Sequence, residues 1–228
     1  FQAEDGIRDV ERSRGLGLKC GAFDVNAACS GFVYATVVAH GMIAMGARKV
    51  LLIGTDTLAR ITNWEDRNTA ILFGDGSGAA VLEATGGPGQ LLGWDIDSDG
   101  SAEELLFCEV GGTIHMDGKE VFRRAVRIMV DSAKKSMAIA GITADDLALV
   151  VPHQANIRII SAACDRLGVP MDRAAVCIHE TGNTSSASIP LALFDAADNG
   201  RLKPGDLVLL VGFGAGMTAA SAIIRWGV

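Results

Sequence analysis

The chain has 228 residues, 49% hydrophobic and 21% charged, so it is long enough to bury a core and too apolar to be disordered. Its 20 basic and 27 acidic residues leave a net charge of −7, the wrong sign for a general nucleic-acid binder. Aromatics at 5% and 28 glycines suit the tight turns and close backbone packing of an α/β protein, and no apolar run reaches the ~18 residues that suggest a membrane-spanning helix.

Residues 1–17, FQAEDGIRDVERSRGLG, have mixed charge, no clear period and no apolar stretch of the kind a signal peptide needs. The string closely resembles the translation of a sequencing adaptor, so it is set aside from fold reasoning. The native part is then expected to begin mid-protein, near Leu18. GAFDV at 21–25 reads as a strand, and the small-residue loop Asn26-Ala-Ala-Cys-Ser-Gly follows it. An Ala-rich helix is predicted over about 31–45. VLLIG at 50–54 is a continuous apolar run suited to a strand covered on both faces. AAVLEA at 79–84 reads as a strand, and the Gly/Asp/Ser-rich stretch from about 85 to 118 reads as loops. A long helix is predicted over about 119–140, with Val121, Phe122, Ala125, Ile128 and Met129 on one face. A strand at 147–152 and a helix at 157–167 come next. AAVCI at 174–178 then reads as a strand running into Thr181-Gly-Asn-Thr-Ser-Ser. A helix at about 186–197 and the strand LVLLVG at 207–212 complete the series.

The order from 21 to 54 recurs from 174 to 212: strand, small-residue loop, buried helix, Gly with basic residues, apolar strand, Gly. Matching loop positions point to an internal duplication. The second copy has a helix, strand and helix before its loop, whereas the first has none. A segment of at least roughly the size of 119–178 is therefore expected to be missing from the first half. Residues 18–110 read as the remainder of an N-terminal half and 111–228 as a C-terminal half.

Four places stand out chemically. Cys29 lies at the start of a helix, where backbone N–H groups and the helix dipole favour a nucleophilic thiolate; a small buried core cysteine is the plain alternative. His153, in VVPHQANIR, falls at the carboxyl end of an apolar strand, where ligands collect in α/β sheets. Asn183, in ETGNTSSASIP, occupies the loop position of Cys29 in the other half; helix capping is its alternative role. GFGAGMT at 212–218 permits a turn that aims a backbone N–H into a pocket. FGDGSGAA at 73–80 lacks the phosphate-loop lysine and precedes a strand, so it carries no nucleotide. The 5 cysteines form no C-x-x-C pair, which argues against a disulfide framework or zinc site and for a reducing cytoplasm. A Cys with a His and an Asn fits acyl transfer through a thioester.

NAACSGF, FGDGSGAAVL, VPHQANIRII, GNTSSASIP and the final GFGAG together resemble β-ketoacyl-acyl-carrier-protein synthase III, of the thiolase superfamily, in that family's order. The resemblance implies an α/β, five-layer αβαβα fold of two similar halves, the first incomplete here, in a cytoplasmic homodimer. It implies that a short acyl-CoA, expected to be acetyl-CoA, condenses with malonyl-acyl-carrier protein to start fatty acid synthesis. No cofactor, metal, nucleic acid or membrane is implied; the CoA thioester is a substrate.

By the same resemblance, Cys29 matches the nucleophile, and His153 and Asn183 match the pair that holds the malonyl thioester oxygen. The backbone N–H groups of Cys29 and Ala215 match the second oxyanion hole, with Ala215 standing where the family commonly has Gly. Phe122 and Phe213 match tunnel residues. Arg67, Met116, Gly118, Ala155 and Asn156 match positions around the CoA arm, and Lys119 stands where some relatives have Asn. Arg123 and Arg158 match the basic patch that docks the acidic carrier protein. Three rival expectations remain: a superfamily relative that uses a longer, aromatic or branched starter or feeds a secondary-metabolite pathway, a non-catalytic thiolase-fold subunit, and, for the chain as it stands, an inactive fragment with exposed sheet edges.

Overall fold

The computed structural model describes residues 17, 19–86 and 90–227. Apart from Gly17, the adaptor-like stretch lies outside them. Two sheets and the helices around them carry the architecture. The larger sheet has the order β3-β8-β7-β6, formed by Leu91–Ser98 (β3), Thr218–Arg225 (β8), Leu207–Gly214 (β7) and Leu149–Pro152 (β6). β6 and β7 pair in parallel, and the other neighbours are antiparallel. The smaller sheet is the antiparallel pair Lys49–Thr57 (β1) and Asp75–Glu83 (β2). A short hairpin pairs Leu106–Cys108 (β4) with Ile114–Met116 (β5).

The larger sheet is covered on both faces. Helices Gly118–Ala140 (α3) and Ile157–Leu167 (α4) pack on one face, where Val121, Ala125 and Met129 meet Val150, Leu209, Val211 and Ile223. Gly31–Ala44 (α1) and Ser188–Asp198 (α6) pack on the other, against Leu149, Val151, Val208, Leu210, Ala220 and Ala222. The far sides of α1 and α6 rest on β1 and β2. The described residues thus build an α-β-α-β stack, and two four-residue helices, Arg67–Ala70 (α2) and Ile178–Thr181 (α5), lie in the connections.

Local chemistry sets the helix ends. Asp117 accepts the N–H groups of Lys119 and Glu120 at the start of α3, and Gly141 closes it at φ 69°. Asn156 caps α4 by accepting the Arg158 N–H at 2.9 Å, and Gly168 ends it at φ 72°.

Five expectations need correction. Residues 21–25 form no strand, because no neighbouring strand among the described residues offers them a ladder. Their counterpart 174–178 is a strand only in name: Ala174 bridges Val150, Ala175 donates to the Val150 carbonyl at 2.8 Å, and α5 begins at Ile178. β1 is not covered on both faces: Leu51 and Ile53 are 42% and 43% exposed on the side away from α1 and α6. Asp75–Gly78 do not precede a strand but open β2. A Cβ at Gly76 would fall 2.8 Å from Thr184 Cγ2, so only glycine lets this strand lie against the Asn183 loop. Finally, the stretch 85–118 contains β3, β4 and β5.

Candidate active site

Three elements deliver the three candidate side chains. Cys29 sits in a single 3-10 turn, Ala28–Ser30, that leads into α1. Ala28 before it is held at φ 46°, a conformation that costs a non-glycine residue of order 1–3 kcal/mol and marks functional turns. Thr218 ties this turn to the start of β8 by donating to the Ala27 carbonyl at 3.0 Å. His153 follows Pro152 at the end of β6, and its own N–H donates to the Val211 carbonyl at 2.8 Å, extending the β6–β7 ladder. Asn183 is held by its backbone between Leu72 and Gly74: it donates to Leu72 and accepts from Gly74, each at 2.9 Å.

All three line one cavity of about 530 Å³. Gly212 separates two of them, since a Cβ there would lie 3.5 Å from both the Cys29 carbonyl and His153 Cβ. The Asn183 Oδ1 accepts the Ser185 N–H at 2.9 Å. Its NH2 group is thereby left as the donor that can serve the cavity. His153 is buried, and its ring stands edge-on to Phe213 with centroids 5.5 Å apart.

Burial dominates the electrostatics. It pushes the Cys29 thiol up to about 11, with the Asp56 carboxylate adding to the rise, while a hydrogen bond from Ser185 works the other way. The expected thiolate at the helix start is therefore not the resting form, because desolvating the anion outweighs what Ser185 and the turn supply. Burial also drives His153 down to about 3, so its ring is neutral. A neutral histidine and an amide give the cavity two uncharged donor groups, suited to an oxygen on which negative charge develops.

Of the remaining expected residues, Met116 and Gly118 line the same cavity, as do Phe122 and Phe213 from its α3 and β7 walls. Ala155 and Asn156 line it too, though the Asn156 carbonyl oxygen is occupied in capping α4. Lys119 reaches the same wall. Arg67 does not line it; the neighbours Asp66 and Asn68 do, with Arg67 exposed on α2. Ala215 lies in the Ala215–Met217 turn and lines a second recess with Ala28. Its φ is negative, so the side chain in place of Gly brings no backbone strain. Arg158 stacks its guanidinium over Phe122, 5.6 Å from the ring centroid. Arg123 is exposed and bonds Glu120 at 2.7 Å.

Ser185, Ser188 and Gln154 stand inside the same motifs, yet nothing in the sequence singles them out. Ser185 is at φ 51°, which no sequence pattern announces. Gln154 is fully buried and spends its amide on the carbonyls of Pro152 and Ala175 and the N–H groups of Cys177 and Ile178. It locks the His153 loop to the segment leading into Asn183.

Known proteins resemble this chain over most of its length. Residues 23–100 match the family description 3-oxoacyl-[acyl-carrier-protein (ACP)] synthase III, and residues 137–226 match its C-terminal counterpart. The β-ketoacyl-[acyl-carrier-protein] synthase III of Roseiflexus sp. (strain RS-1) is 46% identical over 229 residues, covering 93% of this chain and 70% of the relative. The chain belongs to the β-ketoacyl-acyl-carrier-protein synthase III family. A synthase III from Listeria monocytogenes serotype 1/2a (strain 10403S) is 48% identical over 214 residues, or 93% of this chain and 69% of that one. The crystal structure of the Aquifex aeolicus VF5 synthase III superposes with a TM-score of 0.93 at 41% identity, covering 96% of this chain and 71% of that chain. The thiolase-like fold and the acyl-transferring, condensing class of enzyme follow from that membership.

Proposed function

We propose that the synthase III reaction runs in this cavity with Cys29 as nucleophile and with His153 and Asn183 as oxyanion donors. The observation that carries the reading is their convergence on one cavity, with two uncharged donor groups beside a thiol. Cys29 sulfur attacks the carbonyl carbon of an acyl-CoA, acetyl-CoA in the simplest case. The C–S bond to CoA breaks, and CoA leaves carrying the proton that Cys29 gave up. Because the free thiol is pushed up to about 11, that proton departs within the complex, where the Ser185 hydrogen bond helps hold the anion.

Malonyl-acyl-carrier protein then takes the place of CoA. Its carboxylate leaves as CO2, and the bonding electron pair passes into an enolate whose oxygen His153 and Asn183 hold. The enolate carbon attacks the acyl-Cys29 carbonyl. Collapse expels the Cys29 thiolate, which regains a proton from solvent. The Cys29 and Ala215 backbone N–H groups are read as holding the acyl oxygen. A Cβ at Gly214 would fall 2.7 Å from Cys29 N, so glycine there keeps that amide uncovered. Arg123 and Arg158 are read as the carrier-protein dock, with Arg158 standing on Phe122 at the cavity wall.

A homodimer in the cytoplasm belongs to the same reading. The thiols of Cys29, Cys108, Cys164 and Cys177 are all unbridged, which suits a reducing compartment. The test supplies acetyl-CoA and carboxyl-labelled malonyl-acyl-carrier protein and follows released label and product. Coupled release and condensation that vanish in Cys29→Ala are expected. No turnover, or turnover that survives Cys29→Ala, contradicts the reading. Turnover by this chain would also overturn the expectation of an inactive fragment.

A further inference from the structure

His153 must offer a proton to an oxygen while staying neutral, so one ring nitrogen has to be the donor and the other must be satisfied by the protein. The group facing that second nitrogen is Ser188, the first residue of α6. Its Oγ lies 2.7 Å from His153 Nδ1. Both side chains are buried, Ser188 completely. The same oxygen accepts the Gln154 N–H at 3.2 Å.

The proton count decides the direction of the short bond. Ser188 has one hydroxyl proton. If Nδ1 carried the imidazole proton, the serine oxygen would accept twice, and its own O–H would be buried with no acceptor. A buried donor left without a partner costs about 1–3 kcal/mol. If instead the hydroxyl donates to Nδ1, every donor and acceptor in the cluster is matched. The imidazole proton is then on Nε2.

We propose that Ser188 is a positioning residue whose hydroxyl donates to His153 Nδ1 and thereby holds the ring in the tautomer protonated at Nε2. The inference rests on the reading of His153 as an oxyanion donor. It adds the residue that makes the neutral ring a donor on the side left for substrate. The turn carrying Asn183 runs directly into α6, so one segment supplies the second donor and fixes the tautomer of the first.

Two measurements test it. In the intact protein labelled with 15N-histidine, the His153 signals should show a protonated Nε2 and an unprotonated, hydrogen-bonded Nδ1. An Nδ1-protonated ring overturns the proposal whatever the activity. In Ser188→Ala, malonyl-acyl-carrier-protein decarboxylation should fall about 10- to 100-fold, by analogy with the loss when the hydrogen-bond partner that orients a metal-bound histidine is removed. KM should change little and Cys29 acylation should persist. Ser188→Thr, which keeps the hydroxyl, should recover most of the rate. Unchanged decarboxylation in Ser188→Ala, or an equal loss of acylation and decarboxylation in the folded variant, overturns it. The nitrogen signals need no turnover, so failure of the catalytic reading and failure of the tautomer assignment are separable.

Discussion

The two halves carry the same pattern of residues and meet different surroundings. In the second half, β7 is buried along nearly its whole length between two helix pairs. In the first half, β1 has the same apolar character, yet alternate residues face away from the helices and stay open. The segment before Asn183 finds β6 to lean on, whereas the segment before Cys29 finds no strand among the described residues. An apolar run specifies that a strand can be buried; only its neighbours decide on how many faces. The functional loops nevertheless keep a shared geometry. In the 3-10 turns into α1 and α6 the opening residue is held alike, Ala28 at φ 46° and Ser185 at φ 51°, which pairs Cys29 with Ser186 and leaves Asn183 three residues ahead of the match.

The contrast in burial should give the largest difference. Leu210→Ala, in the doubly covered sheet, should cost about 2–5 kcal/mol of unfolding free energy. Leu51→Ala, on the open face, should stay within about 0.5 kcal/mol. Chemical denaturation of both variants checks this, and equal losses would erase the distinction between the halves. The functional loops should differ next. Asn183→Ala or His153→Ala should lower decarboxylation by about 10²–10³-fold while Cys29 still takes an acyl group, and Cys29→Ala should lose both steps. Single-turnover measurements of each half-reaction separate these outcomes.

The pH behaviour of Cys29 should be smaller but distinctive. A thiol raised from 9.0 to about 11 has less thiolate at any pH below that range, so alkylation in the free protein should run about a hundredfold slower than for an ordinary thiol. The rate should keep climbing toward pH 11. A plateau near 9.0 would show that the burial effect is absent. The smallest effect concerns the seam between halves. Gly76→Ala places a methyl against Thr184 and should cost about 1–3 kcal/mol. Gly41→Ala, in α1 with nothing near the added carbon, should be neutral or mildly stabilising; thermal melts compare the two.

Much of this site was legible in the sequence because its residues stand at ends of strongly patterned elements. His153 ends an apolar strand, Cys29 opens an apolar helix, and Asn183 stands in the corresponding small-residue loop of the second half, though the structure matches Cys29 to Ser186 rather than to Asn183. α3 and α4 were readable from their amphipathic period and their terminal glycines. β3 was missed because Asp95, Asp97 and Ser98 give it the composition of a loop; its pairing with β8 overrides that preference. Cys29 was read as a favoured thiolate because helix position is visible in a sequence and desolvation is not. Ser188 was missed for a similar reason: its partner is 35 residues earlier, and only the fold brings the two to 2.7 Å.

The central claim is that Cys29 is the acyl carrier. Intact-mass and peptide mass spectrometry after incubation with acetyl-CoA alone tests it most directly. One acetyl group on the peptide containing Cys29 is predicted, discharged when malonyl-acyl-carrier protein is added. An acetyl group on another residue, or no adduct at all, would contradict the account.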